Sequence, residues 1–247
     1  MCCFSGHVER VSDTKIFARA GVGERQLLAY SMRVAMKSEL AMLLPIPTPA
    51  GSAEDAVKFL SLKEYPQFFA DCEAGWPAPK GMPPSPRGKP FVTAAPKLAV
   101  VQVGNFEASF VPGVADFARL DERFRLPDGT WQQLGDYNGW GFAVFKLKAG
   151  EQKIHPMAFD FPRRNPDRLF FPTVHVHDGK IHKTAGFDHA LYCQSDDAGR
   201  DAQWSASFGP AKQFIKVAKA QGLIDGDRPL QRQFLQGRLK NQDTWLA

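Results

Sequence analysis

A regular alternation of large apolar residues in the run RQLLAYSMRVA, residues 25–35, constrains the fold more than any other feature of the sequence. Apolar side chains at every second position indicate a strand with one buried face, and here they are Leu28, Tyr30, Met32 and Val34. The run TKIFARA, residues 14–20, precedes it, and the Gly-Val-Gly between the two is typical of a hairpin turn. The sequence therefore predicts two antiparallel strands near the N-terminus.

Many later segments also have strand patterns, and three have helical patterns. The predicted strands are residues 39–47, 97–104, 105–113, 141–150, 155–162, 168–177, 180–184 and 188–194. Helices are predicted near residues 54–72, where Ser52 is a suitable N-cap, near 114–126, and over 210–240, with a stop at Gly222. The predicted fold class is α+β, mainly antiparallel sheet with a helical C-terminus.

An ungapped internal repeat suggests two related halves. Gly23-Glu24 matches Gly150-Glu151, and Leu43-Leu44-Pro45 matches Phe170-Phe171-Pro172 at the same offset. Chance similarity between two hairpins competes with duplication as the explanation. We expect a first β-rich half over residues 1–75, a Pro-rich connector over 76–96 and a second half with C-terminal helices over 97–247, packed as one unit. Proline lacks a backbone donor, so the connector cannot form a central strand.

Composition excludes several classes of protein. The net charge of +5 comes from scattered Lys and Arg residues, which argues against a nucleic-acid partner. No apolar run approaches the ~18 residues of a membrane span, and the N-terminus lacks a signal-peptide pattern. The four cysteines do not form a dense disulfide framework. We expect a cytoplasmic protein with a small-molecule or peptide ligand.

Three of the six histidines lie in TVHVHDGKIHKT, residues 173–184. Asp178-Gly179 is a strong signal for a two-residue hairpin turn. Such a hairpin pairs His175 with His182, and because paired residues share a face, it projects both of them and His177 to one side.

This predicted histidine face has two interpretations. Imidazole suits zinc or copper, and three imidazoles would leave a fourth coordination position for water, substrate or another side chain. The alternative is three partly exposed, hydrogen-bonded histidines on a solvent-facing sheet. The leading hypothesis is a metal-binding protein, or a metalloenzyme, with Zn or Cu on His175, His177 and His182. His155 and His189 are further candidate ligands.

The N-terminal Cys2-Cys3 pair has three open readings. Both thiols pack in the first strand, or they ligate zinc or copper as soft donors, or removal of Met1 leaves Cys2 as an N-terminal nucleophile with its own α-amine as base. The last reading predicts a hydrolase or amidotransferase. We also hypothesise that Cys2 or Cys3 shares a metal site with His175. A non-catalytic binding module, with the Phe-rich sheet and the connector engaging a partner, is the remaining alternative.

Several segments resemble a known family: ERQLLAYSMRVA, LLPIPTP, VVQVGNFEASFV and YNGWGFAVFKLKAG. They are similar to a family of uncharacterised bacterial proteins, catalogued as a domain of unknown function. Its members start near a cysteine pair and contain a strand ending in L-P-x-P, a tract V-G-x-Φ-E and a segment W-x-F-x-x-x-K-[LV]. The resemblance covers residues 2–175 and implies a β-rich architecture without supplying a reaction. The family's members usually look exported, whereas this sequence shows no signal peptide, and the histidine run is not a feature of the family.

Overall fold

A computed structural model describes residues 2–77, 101–103, 106–120, 137–176 and 182–247 of the chain. Within these ranges there is one α-helix, α1 (Phe68–Glu73), and short 3-10 helices include Val114–Arg119, Ala211–Gln213 and Val217–Lys219. No helix in the described ranges is long and apolar enough to cross a bilayer. The strands are β1 (Cys2–Phe4), β2 (Arg10–Ala20), β3 (Arg25–Met36), β4 (Leu40–Ile46), β5 (Lys58–Ser61), β6 (Val101–Val103), β7 (Phe106–Val111), β8 (Gly141–Leu147), β9 (Gly150–Lys153), β10 (Met157–Pro162), β11 (Leu169–Phe171), β12 (His175–Val176), β13 (Thr184–Gln194), β14 (Ser205–Pro210), β15 (Pro229–Lys240) and β16 (Thr244–Leu246).

Two large sheets contain almost all of these strands. The smaller one has the order β12-β1-β4-β8-β7-β6, and the larger one has the order β14-β15-β13-β2-β3-β10-β5, with β9 also paired to β3. Most neighbours are antiparallel, but β1 pairs with β12 and β2 pairs with β13 in parallel. Strands β11 and β16 form a separate two-stranded sheet.

The main core lies between the two large sheets. Side chains of even-numbered residues in β3 and β4, such as Tyr30 and Met42, are buried in it together with Phe145 and Phe159. The Phe145 and Phe159 rings belong to different sheets and are 6.1 Å apart between centroids. Odd-numbered residues of β4 are buried in a separate cluster on the outer face of the smaller sheet, so this strand is apolar throughout.

A second apolar cluster covers the outer face of the larger sheet. Helix α1 contributes Phe68 and Phe69, and the turns after β14 contribute Ile215 and Leu223. These side chains pack against residues of the central strands, including Tyr192 of β13. The larger sheet is therefore buried on both faces through its centre.

The predicted first hairpin is confirmed. Strands β2 and β3 are antiparallel, and the turn between them has positive φ at Gly23 and Glu24. The predicted alternation is also confirmed, since Leu28, Tyr30, Met32 and Val34 are all buried in the main core.

The predicted α+β class with a helical C-terminus is wrong, because the described chain is mostly strand. Residues 211–228 form turns and two short 3-10 helices, and the predicted last helix is strand β15, which pairs with β13 from Gln231 to Lys240. The segment predicted as a helix at 54–72 instead contains strand β5 and all of the short α1 except Glu73. Pairing with distant strands overrides a local amphipathic pattern, which is only a weak guide to helix formation.

The two predicted halves do not form separate sheets. In the smaller sheet β4 lies beside β8, and in the larger sheet β3 lies beside β10, so each sheet contains strands from both halves. Strands β4 and β11, which the repeat aligns, occupy different places, since β4 is central in a sheet and β11 pairs with β16. Most of the predicted connector, residues 78–96, lies outside the described residues.

Candidate functional site

The region around His175 unites the N-terminus, the middle and the C-terminus of the chain. Strand β12 is an edge strand, and its parallel partner β1 places Cys2 opposite His175 and Cys3 opposite Val176. Neighbouring strands are ~4.8 Å apart. The backbone of the cysteine pair therefore lies beside His175, which the hypothesis of a shared metal site requires; the shared site itself stays a prediction.

Cys3 nevertheless cannot share a site with the His175 side chain. Cys3 is fully buried in the outer cluster of the smaller sheet, together with Val174 and Val176. Side chains alternate along a strand, so His175, between these two valines, projects from the opposite face. Of the Cys2 side chain, the structure describes nothing.

The imidazole of His175 meets a histidine from the other sheet. Its Nε2 atom is 3.1 Å from Nε2 of His189 on β13, so one of the two rings donates a proton and the other accepts it. His189 is buried, and the ring of Phe187 lies 4.6 Å from the His175 ring and 5.1 Å from the His189 ring. The pair forms a hydrogen-bonded polar contact between the sheets.

The C-terminal segment holds His175 in place. The Asn241 side chain accepts a hydrogen bond from the His175 backbone N–H and donates to the backbone oxygens of His175 and His182. Asp243 accepts from the backbone N–H groups of Thr173 and Val174 and from the hydroxyl of Tyr137. These two side chains supply β12 with partners on its open side.

This arrangement differs from the predicted metal centre. His175 and His182 do not face each other across a ladder, because β12 belongs to the smaller sheet and β13, just after the exposed His182, belongs to the larger one. Within the described ranges, no group of three or more His, Cys, Asp or Glu side chains is arranged to hold a metal ion. The expectation of a zinc- or copper-binding protein therefore has no support in the described structure. His177 and the predicted Asp178-Gly179 turn lie outside the described residues.

A second surface feature was not anticipated from the sequence. An exposed cluster, here called the aromatic patch, lies at the margin of the larger sheet beside the end of α1, and it consists of Trp76, Phe208, Phe214, Arg232 and Phe234. Phe208 is 59% exposed and Phe234 is 49% exposed, which is unusual for such large apolar side chains. The phenyl rings of Phe208 and Phe214 lie 5.4 Å apart between centroids.

Arg232 is the centre of the aromatic patch. Its guanidinium carbon lies 4.3 Å from the centroid of the Trp76 ring and 4.6 Å from that of Phe234. Burial lowers the pKa of Arg232, and the neighbouring Tyr192 and Glu73 oppose that shift. An arginine stays protonated in proteins, so the patch presents a fixed positive charge between two aromatic rings.

Backbone contacts hold the two parts of the patch together. The Phe208 N–H donates to the oxygen of Gly75, next to Trp76. A Cβ atom at Gly75 would lie 2.9 Å from the Phe214 ring, so only glycine fits there without displacing the ring. The residues of the aromatic patch come from distant parts of the sequence. The one sequence feature that points to the patch is the apolar Phe234 among polar residues.

Comparisons with known proteins identify only the fold. No family model matches the chain, and no curated protein matches it, so membership of the bacterial family stays a prediction. Among solved structures, a mutated baculovirus P35 after caspase cleavage is similar over 96% of this chain and 99% of that one, with 12% identity and a TM-score of 0.50. Another structure of baculovirus P35 is similar over 97% of each chain, with 12% identity and a TM-score of 0.49. The chain has a β-rich fold similar to that of P35.

Proposed function

We propose that this chain is a non-catalytic protein-binding module that holds its partner through the aromatic patch. The carrying observation is the exposure of Phe208 and Phe234 around the stacked Arg232. Aromatic residues and arginine are the types that contribute most to the binding energy of protein interfaces. Exposed apolar clusters on an otherwise well-packed protein mark interaction sites.

The partner class to test first is a protease. The P35 structure with a TM-score of 0.50 is described as having been cleaved by a caspase, and its fold is similar to this one over nearly the whole chain. A protease partner also fits the position of Trp76, which belongs to the aromatic patch and is the first residue of the Pro-rich connector.

The test measures binding of the full-length protein to a purified caspase by biolayer interferometry. We expect the double variant Phe208→Ala, Phe234→Ala to raise Kd at least ~10-fold, the equivalent of about 1.4 kcal/mol. Val22→Ala is the matched control, since Val22 is 93% exposed in the β2–β3 turn and lies outside the patch. Absence of binding at about 100 µM caspase, or equal affinity of the double variant and the control, would refute the proposal.

A further variant separates this proposal from the N-terminal cysteine hypothesis. Binding through the aromatic patch does not require a thiol, so Cys2→Ser is expected to leave Kd unchanged. A covalent complex that is seen by intact-mass analysis and lost in Cys2→Ser would instead indicate that Cys2 reacts with the partner. The same spectra locate any cut that the protease makes in the chain.

A further inference from the structure

Strand β15 has a partner along its whole length on one side only. On that side it pairs with β13 as far as Lys240. On the other side β14 reaches only to Arg232, through the pairs Ala206–Gln231 and Ser205–Arg232. Among the described strands, none pairs with the outer edge of residues 233–240.

The direction of the backbone groups on this edge follows from three hydrogen bonds. The N–H of Leu230 donates to Ser207 Oγ, and the oxygen of Arg232 accepts from Ser205 Oγ, so these even-numbered residues point towards β14. The N–H of Asn241 donates to the oxygen of Lys183, so an odd-numbered residue points towards β13. Backbone groups alternate in direction along an antiparallel strand. The N–H and C=O groups that point outward on the open edge belong to Phe234, Gln236, Arg238 and Lys240.

The charge of this edge has one sign. Residues 228–242 contain Arg228, Arg232, Arg238 and Lys240 and no acidic residue. Arg228 is paired with Asp196, whereas Arg238 and Lys240 form no ion pair among the described residues and are exposed. The nearest acidic residue of β13, Asp188, lies one strand inward and accepts a hydrogen bond from the Asp13 N–H.

We propose that the open edge of residues 233–240 binds an extended acidic segment of a partner protein as an added β-strand. Addition of a strand satisfies the outward backbone groups, and the peptide's carboxylates meet Arg238 and Lys240. An apolar residue of the same peptide reaches Phe234, which also belongs to the aromatic patch. The inference rests on the proposed function for the partner being a protein, and it adds the partner's conformation and charge.

An alternative role for the charged edge is to prevent other strands from pairing with it, and this role leads to a different expectation. Basic residues on an edge strand keep other strands from pairing with it, and Gly237, with a φ of 82°, interrupts the regular strand geometry. In that case an acidic peptide would bind through charge alone. Its affinity would then be insensitive to a single backbone N–H.

The test uses a fluorescein-labelled peptide of about ten residues in which Glu alternates with Val, followed by fluorescence polarisation at about 50 mM salt, where charge screening is weak. Gln236→Pro removes one outward N–H and leaves the ladder to β13 intact, and Gln236→Ala, which changes the side chain alone, is its matched control. We expect Gln236→Pro to raise Kd at least ~10-fold and Gln236→Ala to stay within about twofold. Far-ultraviolet circular dichroism checks that each variant is folded.

Two further arms make the result decisive. A peptide N-methylated at alternate residues removes donors from the ligand without altering the protein, and it should bind at least ~10-fold more weakly than the parent peptide. A variant with Arg238→Glu and Lys240→Glu should lose the acidic peptide and bind a version with Lys in place of Glu. Equal affinities for Gln236→Pro and Gln236→Ala together with no effect of N-methylation would overturn the proposal.

This experiment is independent of the caspase measurement. A protein that binds the peptide in a Gln236-dependent way but does not bind a caspase would contradict the proposed partner class and leave the edge site intact. If the protein binds a caspase through Phe208 and Phe234 but binds the peptide through charge alone, the proposed function is supported and the edge site is contradicted.

Discussion

His155 lies just before β10 in a partly buried position where a charge is unfavourable. Desolvation by burial lowers its pKa below 6.5, the backbone oxygen of Pro156 opposes that shift, and the charge of Lys63 adds to it. The unfolded chain therefore binds a proton on this side chain more readily than the folded chain does. The stability that results is present above pH ~6.5 and is lost as the pH falls through the folded-state pKa.

We predict that the free energy of unfolding decreases between pH 7.5 and 5.5, and that part of this decrease is absent in His155→Gln. Urea unfolding followed by circular dichroism at both pH values measures the difference. The matched control is His182→Gln, which removes an exposed imidazole at another position. An equal pH dependence in His155→Gln and the parent protein would contradict the prediction.

Three of the four thiols are inaccessible, which bears on the hypothesis of an N-terminal nucleophile. Cys3, Cys72 and Cys193 are buried, and burial raises the pKa of both Cys72 and Cys193. A raised pKa disfavours the thiolate, which is the reactive form. We predict that the native protein exposes at most one fast-reacting thiol to Ellman's reagent, and that all four react in guanidinium chloride. Rapid reaction of two or more thiols in the native protein would show that at least one of Cys3, Cys72 and Cys193 is accessible to solvent.

At the scale of elements, the segment after β15 holds β11 and β12 in position through strand pairing and side-chain hydrogen bonds. Strand β16 pairs with β11, and the Trp245 ring lies 4.9 Å from Phe170 and 6.1 Å from Trp140. Asp243 and Asn241 then bond the chain on either side of Val174. These contacts keep a two-residue edge strand in place beside β1.

We predict that Asp243→Ala lowers the free energy of unfolding by about 2–3 kcal/mol, because it removes the carboxylate that accepts hydrogen bonds from the N–H groups of Thr173 and Val174 and from the Tyr137 hydroxyl. The neighbouring Gln242→Ala changes an exposed side chain and should lie within about 0.5 kcal/mol of the parent. Denaturation in urea provides both values. A loss below about 1 kcal/mol in Asp243→Ala would mean that the carboxylate does not anchor β12.

At the scale of the whole molecule, the interleaving of the strands couples the two ends of the chain. Strand β4 pairs with β8 over the whole length from Leu40 to Ile46, and β2 pairs with β13 from Thr14 to Arg19. The main core contains side chains from both sides of the connector, among them Tyr30 and Phe159. Neither half can bury its apolar surface alone.

We therefore predict that a cut within residues 78–100 leaves one particle. A cleavage sequence for a specific protease, inserted in that segment, yields two fragments that should co-elute in size-exclusion chromatography under native conditions. They should separate only in a denaturant such as guanidinium chloride. Fragments that elute separately in native buffer would contradict this prediction and indicate two independent domains.

Local patterns in the sequence were sufficient to predict the strands whose partners are near in sequence or whose apolar and polar side chains alternate clearly. Leu28 to Val34 has the period of a half-buried strand, and the structure places those residues in the core. β15 was misjudged because Leu230, Phe234 and Leu235 also fit a helical spacing. Its state was decided by hydrogen bonds to β13, more than thirty residues earlier, and such bonds leave no local signal.

For the candidate site, the sequence by itself determined which chemical groups are available: a cysteine pair, a histidine run and the basic residues of the C-terminal segment. Only the tertiary structure decided which of these groups meet. It pairs Cys2 with His175 but turns Cys3 away from it, and it joins His175 to His189 instead of His182. It also gathers Trp76, Phe208 and Arg232 from three distant segments. The physical reason is that a β-sheet forms its energetically important contacts across strands, so the neighbours of a side chain depend on strand order and register, which no short stretch of sequence specifies.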